Sequence, residues 1–308
     1  MTTPANALPA GVRVFERGWL SSNNILCVGD DQATLIDSGY ATHAEQTVAL
    51  VESALGGRAL DALLNTHLHS DHCGGNAALQ ARYPNVLTRI PPGESQAVVQ
   101  WYERALSFQA TGQHCERFGF DGLLQPGTSE RIGGMPWQIH AAPGHDPHSV
   151  VLFEPASNTL ISADALWESG FGIVFPELTG EPSFDQVAAT LDLIERLRPR
   201  RVIPGHGSVF DDVARALTTA RRRLDGLIRD PRRHARHAVK VLMKFKLLEL
   251  QSTTRADWDR WVAQTPYFET IRLRFFPDWT LAALSSEALN DLVDAGAVQR
   301  TEHYIRNS

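Results

Sequence analysis

The chain has 308 residues, about twice the length of a typical domain, so we expect one large domain or two unequal ones. Apolar residues make up 43% and charged residues 21% of it, a composition that excludes a disordered or collagen-like protein. The formal net charge of -6 excludes a general electrostatic attraction to nucleic acid or to an anionic membrane.

The cysteines and the apolar pattern indicate the compartment. Cys27, Cys73 and Cys115 are widely spaced and odd in number, which favours neither a disulfide framework nor a thiolate zinc site. The chain shows no secretion signal and no uncharged stretch long enough to span a bilayer. We therefore expect a cytoplasmic protein without a membrane partner.

The first part of the chain predicts strands that alternate with helices. Short apolar runs ended by turn residues indicate strands, and apolar residues three or four positions apart indicate helices. The predicted strands cover residues 13–15, 25–28, 33–37 and 61–65, and the predicted helices cover 44–55, 77–82 and 96–106. This alternation is typical of layered α/β proteins.

The second part continues this alternation of strands and helices up to Asp230-Pro231, and mainly helices are predicted after it. Strands are predicted over 137–141, 150–153, 159–162 and 201–203, followed or preceded by helices over 185–197 and 211–229. Beyond the boundary, helices are predicted over 235–250, 255–264 and 285–295, with a strand-like ending over 297–305. We thus predict a domain over 1–229 and a small, mainly helical module over 230–308, for which a winged helix is one interpretation.

A compact group of histidines follows the strand predicted over 61–65. In the run His-Leu-His-Ser-Asp-His at 67–72, His67 and His69 point the same way from an extended segment. Asp71 and His72 follow as the chain turns over two glycines. Imidazole and carboxylate ligands suit zinc, manganese or iron. One loop can thus supply ligands to two neighbouring metals.

The HxHxDH pattern resembles that of the metallo-β-lactamase-fold hydrolase superfamily. Members of that superfamily add a later histidine, an aspartate and a final histidine, each after a strand. Ala-Pro-Gly-His145, Ser-Ala-Asp164 and Pro-Gly-His206-Gly occur here in that order, and Leu-Ile-Asp37-Ser-Gly resembles the first motif of the family. The resemblance covers about residues 12–229 and implies an α/β fold of four layers, an αββα sandwich.

The resemblance also implies a dinuclear metal centre of the glyoxalase II type. One metal would be held by His67, His69 and His145 and the other by Asp71, His72 and His206, with Asp164 between them. The implied cofactors are two divalent ions, with zinc favoured over iron and manganese. Asp37 would orient a metal-bound histidine. Asp71 would also be catalytic, because it could orient the hydroxide and carry its proton.

Such a centre implies a metal-dependent hydrolase whose metal-bridging hydroxide attacks a small carbonyl substrate, namely a thioester, ester or lactone. A phosphodiesterase or ribonuclease with the same centre is one alternative, since 12 arginines and four acidic residues lie between Arg196 and Arg236. Nucleic acid is the less favoured partner, because no stacking aromatic residues accompany these arginines. A non-hydrolytic iron-binding variant is the other alternative, and a homodimer is left open.

Aromatic residues predict the wall of the substrate pocket. Trp167, Phe171 and Phe175 follow Asp164 and would overhang the metals in this fold, where they could bind an apolar substrate. Trp19 and Tyr267 lie on segments that could approach the same site. Core packing against the appended helices is an interpretation with equal support.

Overall fold

The computed structural model of the chain describes residues 8–308, so the first seven residues of the predicted 1–229 domain lie outside it. Its first sheet has six strands, ordered from β1 to β6. They are β1 (Val12–Phe15), β2 (Asn24–Val28), β3 (Ala33–Ile36), β4 (Ala62–Leu64), β5 (Leu87–Ile90) and β6 (Gly122–Leu123). From β3 onward the neighbours are parallel, with Thr34 opposite Ala62.

The second sheet has five strands in the order β11-β10-β9-β8-β7. They are β7 (Ser129–Ile132), β8 (Met135–Ala141), β9 (Val150–Glu154), β10 (Thr159–Ala163) and β11 (Arg201–Pro204). Strands β7 to β10 pair antiparallel, whereas β10 and β11 are parallel. The parallel pair places the residues that follow β10 and β11 at one edge of the sheet.

Eight helices accompany these strands, and two of the eight are only one turn long. They are α1 (Ala44–Leu55), α2 (Ser70–Cys73), α3 (Asn76–Arg82), α4 (Ser95–Gln100), α5 (Phe108–Thr111), α6 (Phe175–Thr179), α7 (Phe184–Leu197) and α8 (Val213–Arg229). Helix α1 ends at Gly56, which adopts the left-handed conformation that glycine tolerates without a steric penalty.

The sheets and helices form four layers. Apolar side chains of the two sheets meet in one buried cluster, which includes Ile36 of the first sheet and Trp137 of the second. Val51 of α1 and Leu79 of α3 cover the outer face of the first sheet. Leu191 of α7 and further side chains of α8 cover the outer face of the second. The predicted αββα sandwich is therefore confirmed.

The carboxy-terminal part of the chain is mainly helical, as predicted. Its elements are α9 (Pro231–Leu250), β12 (Ser252–Thr254), α10 (Arg255–Gln264), α11 (Pro266–Phe275), α12 (Leu281–Asp294), β13 (Val298–Arg300) and β14 (Tyr304–Asn307). The three strands form an antiparallel sheet in the order β12-β14-β13. The structure thus has four helices where three were expected, and the winged-helix interpretation stays a prediction.

Two predicted elements differ in the structure. The helix expected over 96–106 ends at Gln100, because Trp101 adopts a left-handed backbone with φ of 53°. The strand expected over 297–305 is a hairpin of β13 and β14. The short strands β5, β6, β7 and β12 and the helices α2, α5, α6 and α11 have no counterpart in the predicted elements. Most of these strands carry too few buried residues in succession to give a clear apolar pattern.

The boundary after residue 229 falls between α8 and α9, where the Asp230 side chain accepts a hydrogen bond from the Arg233 backbone at the start of α9. Residues of α9 to α12 and of β13 and β14 share one buried cluster, and Ile173 and Leu178 from the preceding part pack into it. The module is therefore fixed against the sandwich, and its independence as a domain stays a prediction.

Phe268 tests this packing because its side chain is only 1% exposed and lies in the shared cluster. We expect Phe268→Ala to lower the free energy of unfolding by about 3–5 kcal/mol, through lost apolar burial and the cavity left behind. Urea denaturation followed by tryptophan fluorescence measures the change. Leu273→Ala on the same helix is the matched control, since Leu273 is 59% exposed. Equal effects of the two substitutions would contradict the packing.

Candidate metal centre

The seven predicted metal ligands lie on four segments that each follow a strand. The run at 67–72 follows β4, His145 follows β8, Asp164 follows β10 directly, and His206 follows β11. The structure brings all seven side chains together in three overlapping groups, in each of which the candidate ligand atoms lie within 4.8 Å of one another. These groups are His67, His69 and His145; His67, His72 and Asp164; and Asp71, His72 and His206.

The first group is made of three imidazoles. His67 Nε2 lies 3.1 Å and His145 Nε2 lies 2.8 Å from His69 Nδ1. Asp164 Oδ2 is 3.4 Å from His145 Nε2 and completes the group with one carboxylate oxygen. Three nitrogens and one oxygen around a point match the ligand number that zinc prefers.

The third group, made of Asp71, His72 and His206, lies beside the Asp164 carboxylate. Asp71 Oδ2 is 3.1 Å from His206 Nε2 and 3.8 Å from His72 Nε2. Asp164 Oδ1 is 3.4 Å from His72 Nε2. Asp164 therefore directs Oδ2 to the first group and Oδ1 to the third, which is the arrangement a bridging carboxylate requires.

Asp37 fixes the orientation of His72 from behind. Its Oδ2 lies 2.8 Å from His72 Nδ1, so the other ring nitrogen, Nε2, points into the cluster. The Thr66 backbone amide and hydroxyl donate to the two oxygens of Asp37, both at 2.8 Å. The structure thus places Asp37 where the resemblance implies, and it adds Thr66 as the residue that holds Asp37.

A hydrogen bond orients one histidine of the first group, and a carboxylate lies near another. His145 Nδ1 is 2.6 Å from the backbone carbonyl of Ile173, which leaves Nε2 directed at the cluster. Asp146 Oδ2 lies 3.8 Å from His69 Nε2, on the side of that ring away from the cluster. The sequence analysis missed Asp146, and its position directly after His145 was the available signal.

The electrostatics of the cluster favour cations. Burial and the neighbouring imidazoles lower the pKa of His67 well below its ordinary value, and burial lowers the pKa of His145 to about 4, so both rings are neutral. Burial opposes charge on His72 as well, yet Asp37, Asp164 and Asp71 raise its pKa well above the ordinary value. Carboxylates concentrated around a buried ring attract positive charge.

An unpartnered buried atom tests whether the residues fit metal ions. His72 Nε2 is inaccessible to solvent and makes no hydrogen bond of acceptable geometry within residues 8–308. A buried polar atom without a partner is rare and calls for an ion or a water. This atom faces both carboxylates, so the donor set fits two divalent cations.

The backbone is strained at two positions beside the cluster. Asp37 has a φ of 58° and Ala163, directly before Asp164, has a φ of 47°. Residues other than glycine seldom adopt this left-handed region, and such strain concentrates at functional sites. Gly205 allows the close approach of Asp164, because a Cβ at position 205 would lie 2.3 Å from Asp164 Oδ1. This explains the glycine before His206.

A cavity of about 440 Å³, here called the site cavity, lies over the cluster. Five of the seven candidate ligands line it, namely His69, Asp71, His145, Asp164 and His206. The predicted aromatic residues Trp19, Trp167 and Phe175 line it as well. The Trp19 ring stacks on His206 at 5.4 Å, and the Phe175 ring lies edge-on to His69 at 5.1 Å.

The other two predicted pocket residues are placed elsewhere. Phe171 is only 1% exposed and packs in the core between the second sheet and α7 and α8. Tyr267 lies behind Phe175, where its hydroxyl donates to the Phe175 carbonyl at 3.1 Å. One residue therefore belongs to the sandwich core, as the core-packing interpretation expected, and the other supports the wall from outside.

The sequence analysis missed the wall that α9 supplies. Lining residues outside the predicted set include Ser107, Thr111, Gln113, Arg223, His237, Val241 and Phe245. Three of them, His237, Val241 and Phe245, are four residues apart and so share one face of α9. This spacing was the available signal, but it did not distinguish a cavity wall from a buried core.

A family model decides the relationship that these motifs suggest. The model described as "Metallo-beta-lactamase superfamily" matches residues 17–206, which is more than half of the chain. The chain belongs to the metallo-beta-lactamase superfamily. Among residues 8–308 of this superfamily member, no helix has the length and apolar character needed to cross a membrane.

Individual relatives agree with this membership. The chain is 32% identical over 208 residues to a hydroxyacylglutathione hydrolase of Synechococcus sp. (strain JA-3-3Ab), covering 67% of the chain and 72% of the relative. The fold matches a beta-lactamase domain protein from Burkholderia ambifaria with a TM-score of 0.59 and 22% identity, over 97% of the chain and 96% of that protein. The chain is a metal-dependent hydrolase.

A third comparison concerns the metal. The solved protein TTHA1623, described in a di-iron-bound form, is 27% identical to the chain, with a TM-score of 0.54. The match covers 68% of the chain and 98% of that protein. A centre for two metal ions is thus present in a relative whose fold the chain shares.

The substitution Asp37→Ala tests whether Asp37 orients His72 in the cluster. We expect Asp37→Ala to weaken metal affinity by about 10- to 100-fold, because His72 loses the partner that orients it. Competition with a chromogenic chelator measures the affinity. Asp121→Ala is the matched control, since Asp121 accepts a hydrogen bond from the Thr88 backbone amide at a distant sheet position. Unchanged affinity in Asp37→Ala would contradict the assigned support.

Proposed function

We propose that this superfamily member hydrolyses small carbonyl substrates at a dinuclear metal centre, with thioesters as the first class and esters and lactones as close alternatives. The observation that carries the proposal is the position of Asp164, whose two oxygens face two separate groups of ligands. The relative named hydroxyacylglutathione hydrolase supports a thioester, and it favours hydrolysis over the non-hydrolytic iron-binding alternative.

The cofactors in this proposal are two divalent cations, with zinc as the leading choice. His67, His69 and His145 would hold one cation, Asp71, His72 and His206 would hold the other, and Asp164 would contact both. When bound, such ions lower the pKa of a shared water toward neutrality and polarise a carbonyl oxygen. The ligand set contains no thiolate and also suits iron or manganese, and TTHA1623 supports iron as the alternative.

Asp71 is the proposed proton carrier. Its carboxylate lines the site cavity and lies 3.1 Å from His206 Nε2. Although burial opposes its charge, His72 and His206 hold its pKa below the ordinary value, so it is ionised and able to accept a hydrogen bond from the attacking water. It would then deliver the proton to the departing thiolate.

Aromatic side chains hold the site and exclude water. Trp167 Nε1 donates to Asp164 Oδ1 at 3.2 Å and thereby fixes the carboxylate between the two groups. Trp19, Phe175, Val241 and Phe245 give the site cavity an apolar wall. A wall of this kind binds an acyl chain and strengthens the electrostatic interactions around the reacting carbonyl.

A substrate panel tests the proposed class. We expect metal-quantified protein to hydrolyse S-lactoylglutathione and the butyryl thioester of N-acetylcysteamine with a higher kcat/KM than bis(p-nitrophenyl) phosphate, because the apolar wall accepts an acyl group. Thiol release and nitrophenolate release measure the two reactions. A preference for the phosphodiester would overturn the proposal in favour of the phosphodiesterase alternative.

Asp164 tests the dinuclear assignment. We expect Asp164→Ala to lower kcat/KM by a factor of about 10³ or more, since both ligand groups lose an oxygen that positions the reacting centre. Circular dichroism should show an intact fold, and metal analysis should show less than the wild-type content. Glu168→Ala is the control, because Glu168 lies nearby on the same loop in an exposed ion pair with Arg215. Full activity in Asp164→Ala would refute the assignment.

A further inference from the structure

A second cavity, here called the basic cavity, lies between α8 and α9 and has a volume of about 990 Å³. Six cationic side chains line it, namely Arg222, Arg223, Arg232, Arg233, Arg236 and Lys240. Asp230 is the one carboxylate among its lining residues within the described part of the chain. None of these residues is among the seven candidate metal ligands.

Most of this positive charge has no counter-charge. Asp291 pairs with Arg236 at 2.8 Å and with Lys240 at 3.2 Å. By contrast, Arg222, Arg223, Arg232 and Arg233 form no salt bridge with any carboxylate among residues 8–308. Guanidinium groups in this number, gathered in one concave site, match the bidentate geometry of phosphate oxygens.

Burial and the surplus positive charge lower the pKa of two side chains in the basic cavity. Burial and the charge of Arg233 lower the pKa of Arg223. Burial, followed by the charges of Arg223 and Lys240, lowers the pKa of His237 to about 4, so this ring is neutral. The cavity therefore holds its positive charge on the arginines, and an anion would relieve their mutual repulsion.

Aromatic rings complete the basic cavity. Phe276 and Trp279 line it with their ring centroids 5.4 Å apart, and the Arg232 guanidinium lies 5.0 Å from the Phe276 centroid. Phe276 is only 4% exposed, so a heterocyclic base would stack on the partly buried Trp279 ring beside a guanidinium. Phosphate-binding and base-stacking groups thus lie in the same cavity.

The basic cavity adjoins the site cavity. Arg223 and His237 line both, and Arg223 Nη2 lies 3.2 Å from His237 Nε2 at the border. The two cavities thus share a wall, which places the arginines beside the site cavity.

We propose that the basic cavity is the substrate subsite for a thioester whose thiol carries a nucleoside diphosphate. The inference rests on the proposed function and names its substrate class. Hydrolysis breaks the carbonyl–sulfur bond and forms a carbonyl–oxygen bond with water, and the products are a carboxylic acid and the nucleotide-bearing thiol, which receives the proton. The cavity volume lies in the range of small-molecule sites, whereas a single RNA strand needs a groove with successive stacking residues.

Two thioesters with the same acyl group test the subsite. Butyryl-coenzyme A carries a phosphorylated nucleotide, and butyryl-N-acetylcysteamine has the same thioester bond without it. We expect kcat/KM to be about tenfold or more higher for the first, since charge-assisted hydrogen bonds to phosphate add affinity. In the double variant Arg232→Ala/Arg233→Ala, this ratio should fall by about tenfold, mainly through KM.

Both substituted arginines are exposed, so the double variant should fold. Arg229→Ala is the matched control, because Arg229 is an exposed arginine at the end of α8 that does not line the basic cavity. The ratio of the two kcat/KM values should stay at the wild-type level in this control. An equal loss in Arg229→Ala would overturn the subsite, since it would show a general effect of net charge.

Binding of ADP, measured by isothermal titration calorimetry, separates the subsite from the activity. ADP binding that is lost in the double variant supports the subsite, whether or not the thioesters are hydrolysed. If ADP binds but neither thioester is hydrolysed, the proposed function is overturned and the subsite stands. Equal kcat/KM for the two thioesters and no ADP binding would overturn the subsite and leave the proposed function standing. Tighter, steeply salt-dependent binding of a short RNA through the same arginines would overturn it in favour of nucleic acid.

Discussion

The position of the Asp164 carboxylate governs the arrangement of the whole site. It lies between two groups of histidines, with one oxygen 3.4 Å from His145 and the other 3.4 Å from His72. Buried charged and polar groups at such distances are costly unless ions or hydrogen bonds compensate them. Because the groups come from both sheets, cations held there would connect the two halves of the sandwich as well as supply the chemistry.

The sandwich holds this cluster at a local cost in backbone energy. Left-handed residues at Asp37 and Ala163 and the glycine at 205 allow the strand ends to approach more closely than ordinary backbone would. Each strained residue costs about 1–3 kcal/mol, and such strain persists only where the surrounding packing over-determines it. The apolar cluster between the sheets, with Trp137 fully buried, supplies that packing.

The candidate ligands were implied by the family resemblance, and each could be placed in the fold because it follows a strand whose apolar pattern is local and therefore readable. The sequence could not assign Trp167 and Phe171 to their different environments, since both are aromatic residues on one loop and only the tertiary packing separates them. The early end of α4 at Trp101 could not be predicted for the same reason. Trp101 has a left-handed backbone, and tryptophan is not a residue type that indicates this conformation. The spacing of His237, Val241 and Phe245 predicts one shared face of α9. Whether that face lines a cavity or a core depends on how the module packs against the sandwich.

The docked module supplies part of the wall of the site cavity. The superfamily match ends at residue 206, which is itself the last of the candidate ligands. Helices α8 and α9 begin beyond it, and they supply Arg223 and His237 to both cavities. The residues that would activate water thus lie within the matched segment, whereas much of the wall that would contact a substrate lies outside it. Under the proposed function, selectivity would therefore depend in part on elements that the superfamily pattern does not describe.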